Sequence, residues 1–273
     1  MKQRTITAFV GLPLLIALVW FEPYGFPLLI LLVTVAVVLG TLEFYHMASL
    51  AEGQPLTALG FVLALGFVAN AAAQDHIEHD FLGPLLAAAV VLPMLWLLVV
   101  PPRKRMLIRW SWTLTGILYV GFALSCYVAL RELDEGREWV FLAILCTFAC
   151  DTGAYFVGRT WGTHKMAPSI SPGKTWEGAA GGFLCTIAAA VLLRAIFAEA
   201  GHPLPITYLE AMLIGALIGV LGQVGDLCES QLKRKAGVKD SGNLLPGHGG
   251  ALDRLDSIIF TGLVVYYYAQ FVV

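Results

Sequence analysis

Carboxylates and cations crowd into one stretch of the chain. From Ser230 to Asp256 it reads SQLKRKAGVKDSGNLLPGHGGALDRLD, with Lys233, Arg234, Lys235, Lys239 and Arg254 set among Asp240, Asp253 and Asp256. Asp226 and Glu229 stand just upstream, where an apolar run ends. Carboxylates hold hard cations, cations hold phosphate oxygens, and a Gly-rich backbone such as LLPGHGG approaches either closely. The stretch therefore suits a metal-bound polyphosphate. Asp253 and Asp256 are three apart, so on a helix they share one face. LDRLDSIIF opens the last apolar segment, which puts both near a helix N-terminus, where the dipole favours negative charge. A plainer reading makes Asp253 only a helix cap. That reading leaves Asp226, Asp240 and Asp256 beside a basic cluster and a glycine turn without a reason.

A second polar stretch runs from Cys150 to Gly178, CDTGAYFVGRTWGTHKMAPSISPGKTWEG. Asp151 falls inside an apolar segment, where a carboxylate is costly and marks either function or a bond to a neighbouring helix. In SPGKTWEG, Ser171, Lys174 and Thr175 precede a Gly-rich helix and suit phosphate contact through side chains and backbone amides. The glycine spacing of a Walker A loop is missing, so P-loop chemistry is not implied.

The elements that must position these residues are membrane helices. The chain has 273 residues, of which 58% are hydrophobic and 13% charged, and its mean hydropathy is +0.78. Such a composition excludes a soluble domain and predicts an all-α, polytopic integral membrane protein. Apolar segments cover roughly 5–21, 25–42, 56–74, 82–100, 111–130, 138–157, 179–198, 207–227 and 254–273, about nine spans at about 20 residues each. The eighth continues as a polar helix towards Lys235. They form a single membrane domain over 1–273, with five N-terminal helices in 1–130 and a catalytic half in 131–273. Of the 17 Lys and Arg, only Arg131, Arg137 and Arg194 fall on one side of this alternation. The positive-inside rule then puts the N-terminus and both polar stretches in the cytoplasm and the C-terminus outside.

The net charge of −2 is no nucleic-acid footprint, and the basic residues follow topology. PPRKRMLIRW at 101–110 reads as a topology anchor more readily than as a headgroup site. Gly178, Gly181 and Gly182, with Gly215, Gly219, Gly222 and Gly225, predict close packing of the two helices that feed the polar stretches, and they also suit a homodimer. Glu43 and His46 sit near the cytoplasmic end of the second segment, their role open.

The first stretch resembles the signature of the phosphatidate cytidylyltransferases, the CDP-diacylglycerol synthases. Ser230, Lys233-Arg234, Lys239-Asp240, His248-Gly249-Gly250 and Asp253-Arg254-Leu255-Asp256 carry the likeness without a gap. SPGKTWEG is similar to a second segment of that family, with Gly173 where the family has lysine. The resemblance implies CTP and phosphatidate as substrates, membrane lipid as surroundings, and CDP-diacylglycerol and pyrophosphate as products. It also implies Mg²⁺, with a second, monovalent cation such as K⁺. Asp226, Asp253 and Asp256 are the expected metal carriers, with Asp240 added; together with Lys233 they form the expected catalytic set. Ser171, Lys174, Ser230, Arg234, Lys239, His248 and Arg254 are the expected substrate contacts. A bacterial inner membrane is the expected location. Two alternatives stand beside this. A CDP-alcohol phosphotransferase would show Asp-Gly near Ala-Arg and further aspartates along one helix, a pattern not found here. An anionic-solute transporter would spread polar residues across several spans, whereas here they gather at one face.

Overall fold

The computed structural model describes residues 25–74, 80–100, 105–242 and 249–272. The expected first span, His248, Arg103 and Lys104 lie outside the described residues. The described chain is helical but for one hairpin. In order it forms α1 (Gly25–Leu50), α2 (Thr57–Ala72), α3 (Leu82–Val99), α4 (Met106–Glu132) and α5 (Gly136–Trp161). Strands β1 (Lys165–Ala167) and β2 (Ser171–Thr175) follow. Then come α6 (Trp176–Glu199), α7 (Tyr208–Lys235) and α8 (Leu252–Val272). A π-helical turn, Ile117–Phe122, interrupts α4.

Among the described residues, six helices are long and apolar enough to cross a membrane: α1, α3, α4, α5, α6 and α7. The chain is thus an all-α polytopic integral membrane protein. α2 is apolar but shorter, at 16 residues, and α8 carries Asp253, Arg254 and Asp256 in its first turns. Many helices are apolar on all sides, as lipid-facing helices are; Val90, Leu95, Trp96 and Val99 of α3 all point outward. α7 runs on to Lys235 as expected. The β1–β2 hairpin was not expected from the apolar pattern, because its strands are too short and polar to register as one.

By contacts the chain divides into two units, Met1–Glu132 with Leu232–Leu255, and Leu133–Gln231 with Asp256–Val273. The division falls within α7 and α8. In the first unit Phe44, Tyr45, Met47 and Ala48 of α1 are buried. The Tyr45 hydroxyl donates to the Thr113 carbonyl at 2.8 Å, and Gly60 and Gly116 leave room for its ring. In the second unit, glycines let helices approach to backbone contact. A Cβ on Gly182 would meet the Cys150 carbonyl at 2.8 Å, so α6 lies directly on α5. Gly215 faces Ile187 and Ala190 of α6, and Gly225 faces Asp256 and Phe260 of α8. The glycine runs seen in the sequence serve packing inside the chain, as close helix contact in membranes requires.

Candidate active site

In the second unit a cavity of about 510 Å³ opens among α5, the hairpin, α6 and α7, a volume within the ligand-sized range of about 300–1,000 Å³. α5 contributes Asp151, Tyr155 and Arg159. Their spacing of four puts them along one helix face. Arg159 Nη1 donates to the Tyr155 hydroxyl at 2.7 Å. The hairpin contributes Ser171, Gly173 and Lys174, and α7 contributes Gln223 and Asp226.

Local chemistry holds the hairpin in place. β1 and β2 pair antiparallel, with Lys165 opposite Thr175. The chain before β1 is clasped to the start of α6: Thr163 Oγ1 donates to Glu177 Oε1 at 2.8 Å, and the backbone N–H of His164 donates to the same carboxylate at 3.2 Å. Thr175 is buried and caps α6, its Oγ1 accepting the Gly178 N–H at 3.2 Å. A Cβ on Gly162 would strike the Thr175 side chain at 2.6 Å, and one on Gly178 the Ala154 carbonyl at 2.8 Å. These glycines let β2 press against α5, and Lys174 follows into the cavity. Its Nζ lies 2.8 Å from Asp226 Oδ2.

Asp226 is the start of an acidic group. Ser230 Oγ, one turn on in α7, donates to Asp226 Oδ1 at 3.3 Å. Asp256 of α8 feels the charges of Asp226, Glu229 and Asp151. Glu229 is fully buried. This collects two of the expected metal carriers, Asp226 and Asp256, with two carboxylates that had no such role assigned. Among the described residues these carboxylates do not close in threes to within 4.8 Å; the group that does is Glu135, Glu138 and His202. A wider set still fits Mg²⁺, which keeps several waters and takes one or two carboxylates plus substrate phosphates rather than an all-protein cage.

The remaining expected residues lie in the first unit, around the signature segment. Lys233 Nζ meets Asp253 Oδ1 at 2.5 Å, both side chains nearly buried at 12% and 10% exposure. Asp253 Oδ2 accepts the backbone N–H of Ser241 and of Gly250, each at 2.8 Å. Asp253 is therefore engaged as the hub of its own loop, close to the plainer capping reading. Arg234, Lys239, Asp240 and Arg254 are exposed. Glu43 of α1 accepts the N–H groups of Ala251 and Leu252, each at 2.9 Å.

Sequence reasoning missed Tyr155, Arg159 and Gln223 as cavity residues and Glu43 as a partner of the signature segment. The four-residue spacing from Asp151 was a usable signal for the first two. Glu43 had none, since its partner Ser241 is 198 positions away.

Comparison with known proteins shows the family. The model of the cytidylyltransferase family matches residues 2–272. A phosphatidate cytidylyltransferase of Synechocystis sp. is 32% identical over 97% of this chain and 95% of its own length. One from Staphylococcus epidermidis is 33% identical over 95% of both chains. One from Bacillus subtilis is 43% identical, over 55% of this chain and 54% of its own. Matched by its family model over nearly its whole length, with the signature segment and the SPGKTWEG hairpin both in place, the chain belongs to the cytidylyltransferase family.

Proposed function

We propose that the polar face of this membrane protein transfers a cytidylyl group from CTP to phosphatidate, giving CDP-diacylglycerol and pyrophosphate. The chain is a nucleotidyltransferase, and phosphatidate and CTP are its substrates. The observation that carries the reading is the cavity in which Lys174 stands against Asp226, with Asp151 on the same wall. An ammonium beside carboxylates is what a metal-assisted phosphate reaction needs.

A phosphate oxygen of phosphatidate attacks the α-phosphorus of CTP. The bond from that phosphorus to the bridging oxygen breaks, and pyrophosphate leaves. A phosphomonoester's second pKa is about 6, so the attacking oxygen is already ionised near neutral pH. No general base is needed, and His248 is not assigned as one. The protein's part is to position reactants and to neutralise charge as it shifts among phosphate oxygens.

Lys174 presents its ammonium to a phosphate oxygen from the cavity wall, with Ser171 beside it on β2. Ser230 orients Asp226 by its hydrogen bond. Asp226 and Asp256 would hold Mg²⁺, which when bound offsets negative charge on the triphosphate. A monovalent cation such as K⁺ is proposed at the same acidic group. Lys233 and Asp253 keep the signature segment folded, and Asp253 serves a metal only where Lys233 gives way. Asp240 is the remaining candidate carboxylate. Arg234, Lys239 and Arg254 are assigned to triphosphate or lipid phosphate.

The proposal includes nine spans, a cytoplasmic N-terminus, a bacterial inner membrane and an active face towards the cytoplasm. It also includes a catalytic half in 131–273 and a homodimer. The direct test is pyrophosphate release by purified protein given CTP, Mg²⁺ and phosphatidate. Equal release without phosphatidate, or none with it, would sink the reading.

A further inference from the structure

The signature segment is held by a residue outside it. Glu43, near the end of α1, directs both carboxylate oxygens at Ser241, Ala251 and Leu252. Oε1 accepts the Ala251 N–H and Oε2 the Leu252 N–H, each at 2.9 Å, and Oε2 also lies 2.8 Å from Ser241 Oγ. Ser241 Oγ is in turn 3.0 Å from Asp253 Oδ2. A hydroxyl has one proton, so it donates to one carboxylate at a time. Each carboxylate also accepts two backbone N–H groups, and the Ser241 hydroxyl stands between them, closer to Glu43. Glu43 receives two N–H donors and can offer none, which is the behaviour of a carboxylate and not of an amide.

Backbone fit supports the same conclusion. Cβ atoms added to Gly242 or Gly250 would run into the Glu43 carboxylate. The segment thus passes Glu43 on two sides at glycines. The two N–H groups belong to Leu252, the first residue of α8, and to Ala251 just before it, where a helix's unpaired amides and dipole favour an anion. Glu43 supplies it from another helix.

We infer that Glu43 is a positioning residue for the reaction: by capping α8 and fastening Ser241, it fixes the segment that bears Lys239, Asp240 and Asp253. This rests on the cytidylyltransfer reading. Supporting residues that orient a site typically cost about 10–100-fold when changed.

The test uses the full chain purified in detergent, as wild type, Glu43→Gln and Gly242→Ala. The amide of Glu43→Gln turns a donor towards N–H groups. Gly242→Ala leaves Glu43 intact but displaces its flexible carboxylate. Steady-state kinetics and hydrogen exchange of the peptides over 249–256 and 57–72 are measured for each. Both variants should raise the KM for CTP about 10-fold or more, and speed exchange in 249–256 but not in 57–72. A merely structural defect lowers the amount of active enzyme and leaves that KM unchanged. Raised KM with unaltered exchange overturns the inference, since Glu43 would then meet substrate itself. Faster exchange with unaltered KM overturns it as well, because the cap would not reach the reaction. If Glu43→Gln fails to fold, Gly242→Ala decides on the same two readouts. If wild type makes no pyrophosphate, the proposed reaction falls and takes the catalytic role of Glu43 with it; the exchange data then judge the anchor alone.

Discussion

Lys174 Nζ lies 2.8 Å from Asp226 Oδ2, joining a hairpin strand to a membrane helix at the wall of the cavity. The two had been assigned separate duties, phosphate for one and metal for the other. Their pairing brings the two residues to one place. The aspartate holds the end of the lysine chain at the cavity wall.

Lys174→Ala should lower cytidylyl transfer about 10²–10³-fold, the usual cost of one preorganised electrostatic contact. Arg105→Ala is the comparison. Arg105 pairs with Glu52, with both side chains exposed, and such surface pairs contribute about 0–1 kcal/mol. Initial rates of CDP-diacylglycerol formation measure both. Loss in Arg105→Ala with none in Lys174→Ala would place the phosphate site on the wrong loop.

Asp226→Asn and Asp256→Asn keep shape but remove the charge that a hard cation needs. Each should fold and lose most activity, about 10² or more, with a raised Mg²⁺ requirement where binding is only weakened. Asp80→Asn is the control. Asp80 Oδ1 accepts the Leu82 N–H, and an asparagine oxygen does the same. The measurement is a Mg²⁺ titration of purified protein; near-normal rates with unchanged Mg²⁺ dependence in both variants would falsify the metal assignment.

Asp253→Asn should differ from those two by losing stability as well as activity. It removes the charge opposite the nearly buried Lys233, and breaking a buried pair costs about 3–5 kcal/mol. Thermal unfolding in detergent should show a clearly lower Tm for Asp253→Asn than for Asp226→Asn. Equal Tm values, with an altered Mg²⁺ dependence for Asp253→Asn, would return Asp253 to the metal.

Gly225→Ala tests how closely α7 and α8 must meet. A Cβ there would sit 2.6 Å from the Asp256 carbonyl and 2.9 Å from the Phe260 ring. Overpacking of this kind costs about 1–3 kcal/mol, and here it acts between Asp226 and Asp256. Activity should fall although no charged group is changed. Full activity in a folded Gly225→Ala protein would show that the spacing of these helices is not critical.

Topology is checked by reporters. A fusion after Val273 should read as external and one in the 236–247 loop as cytoplasmic. Both on the same side would end the nine-span arrangement.

The helices were legible because their causes are local. Long apolar runs, glycine spacing and charge at helix ends act within a few turns, and α5 through α8 lie where those patterns put them. The two polar stretches were legible for the same reason: each gathers its charges within a short length of chain. What the linear pattern could not decide is which group answers which. Lys174 meets Asp226 because a short hairpin, clasped by Glu177 and seated on glycines, turns β2 into the cavity. Asp256 joins Asp226, Glu229 and Asp151 because Gly225 admits α8 to the backbone of α7. Glu43 reaches Ser241, Ala251 and Leu252 only because α1 packs beside the start of α8. A hydrogen bond or ion pair depends on distances of a few ångströms between groups far apart in the chain, and those distances exist only once the helices have packed.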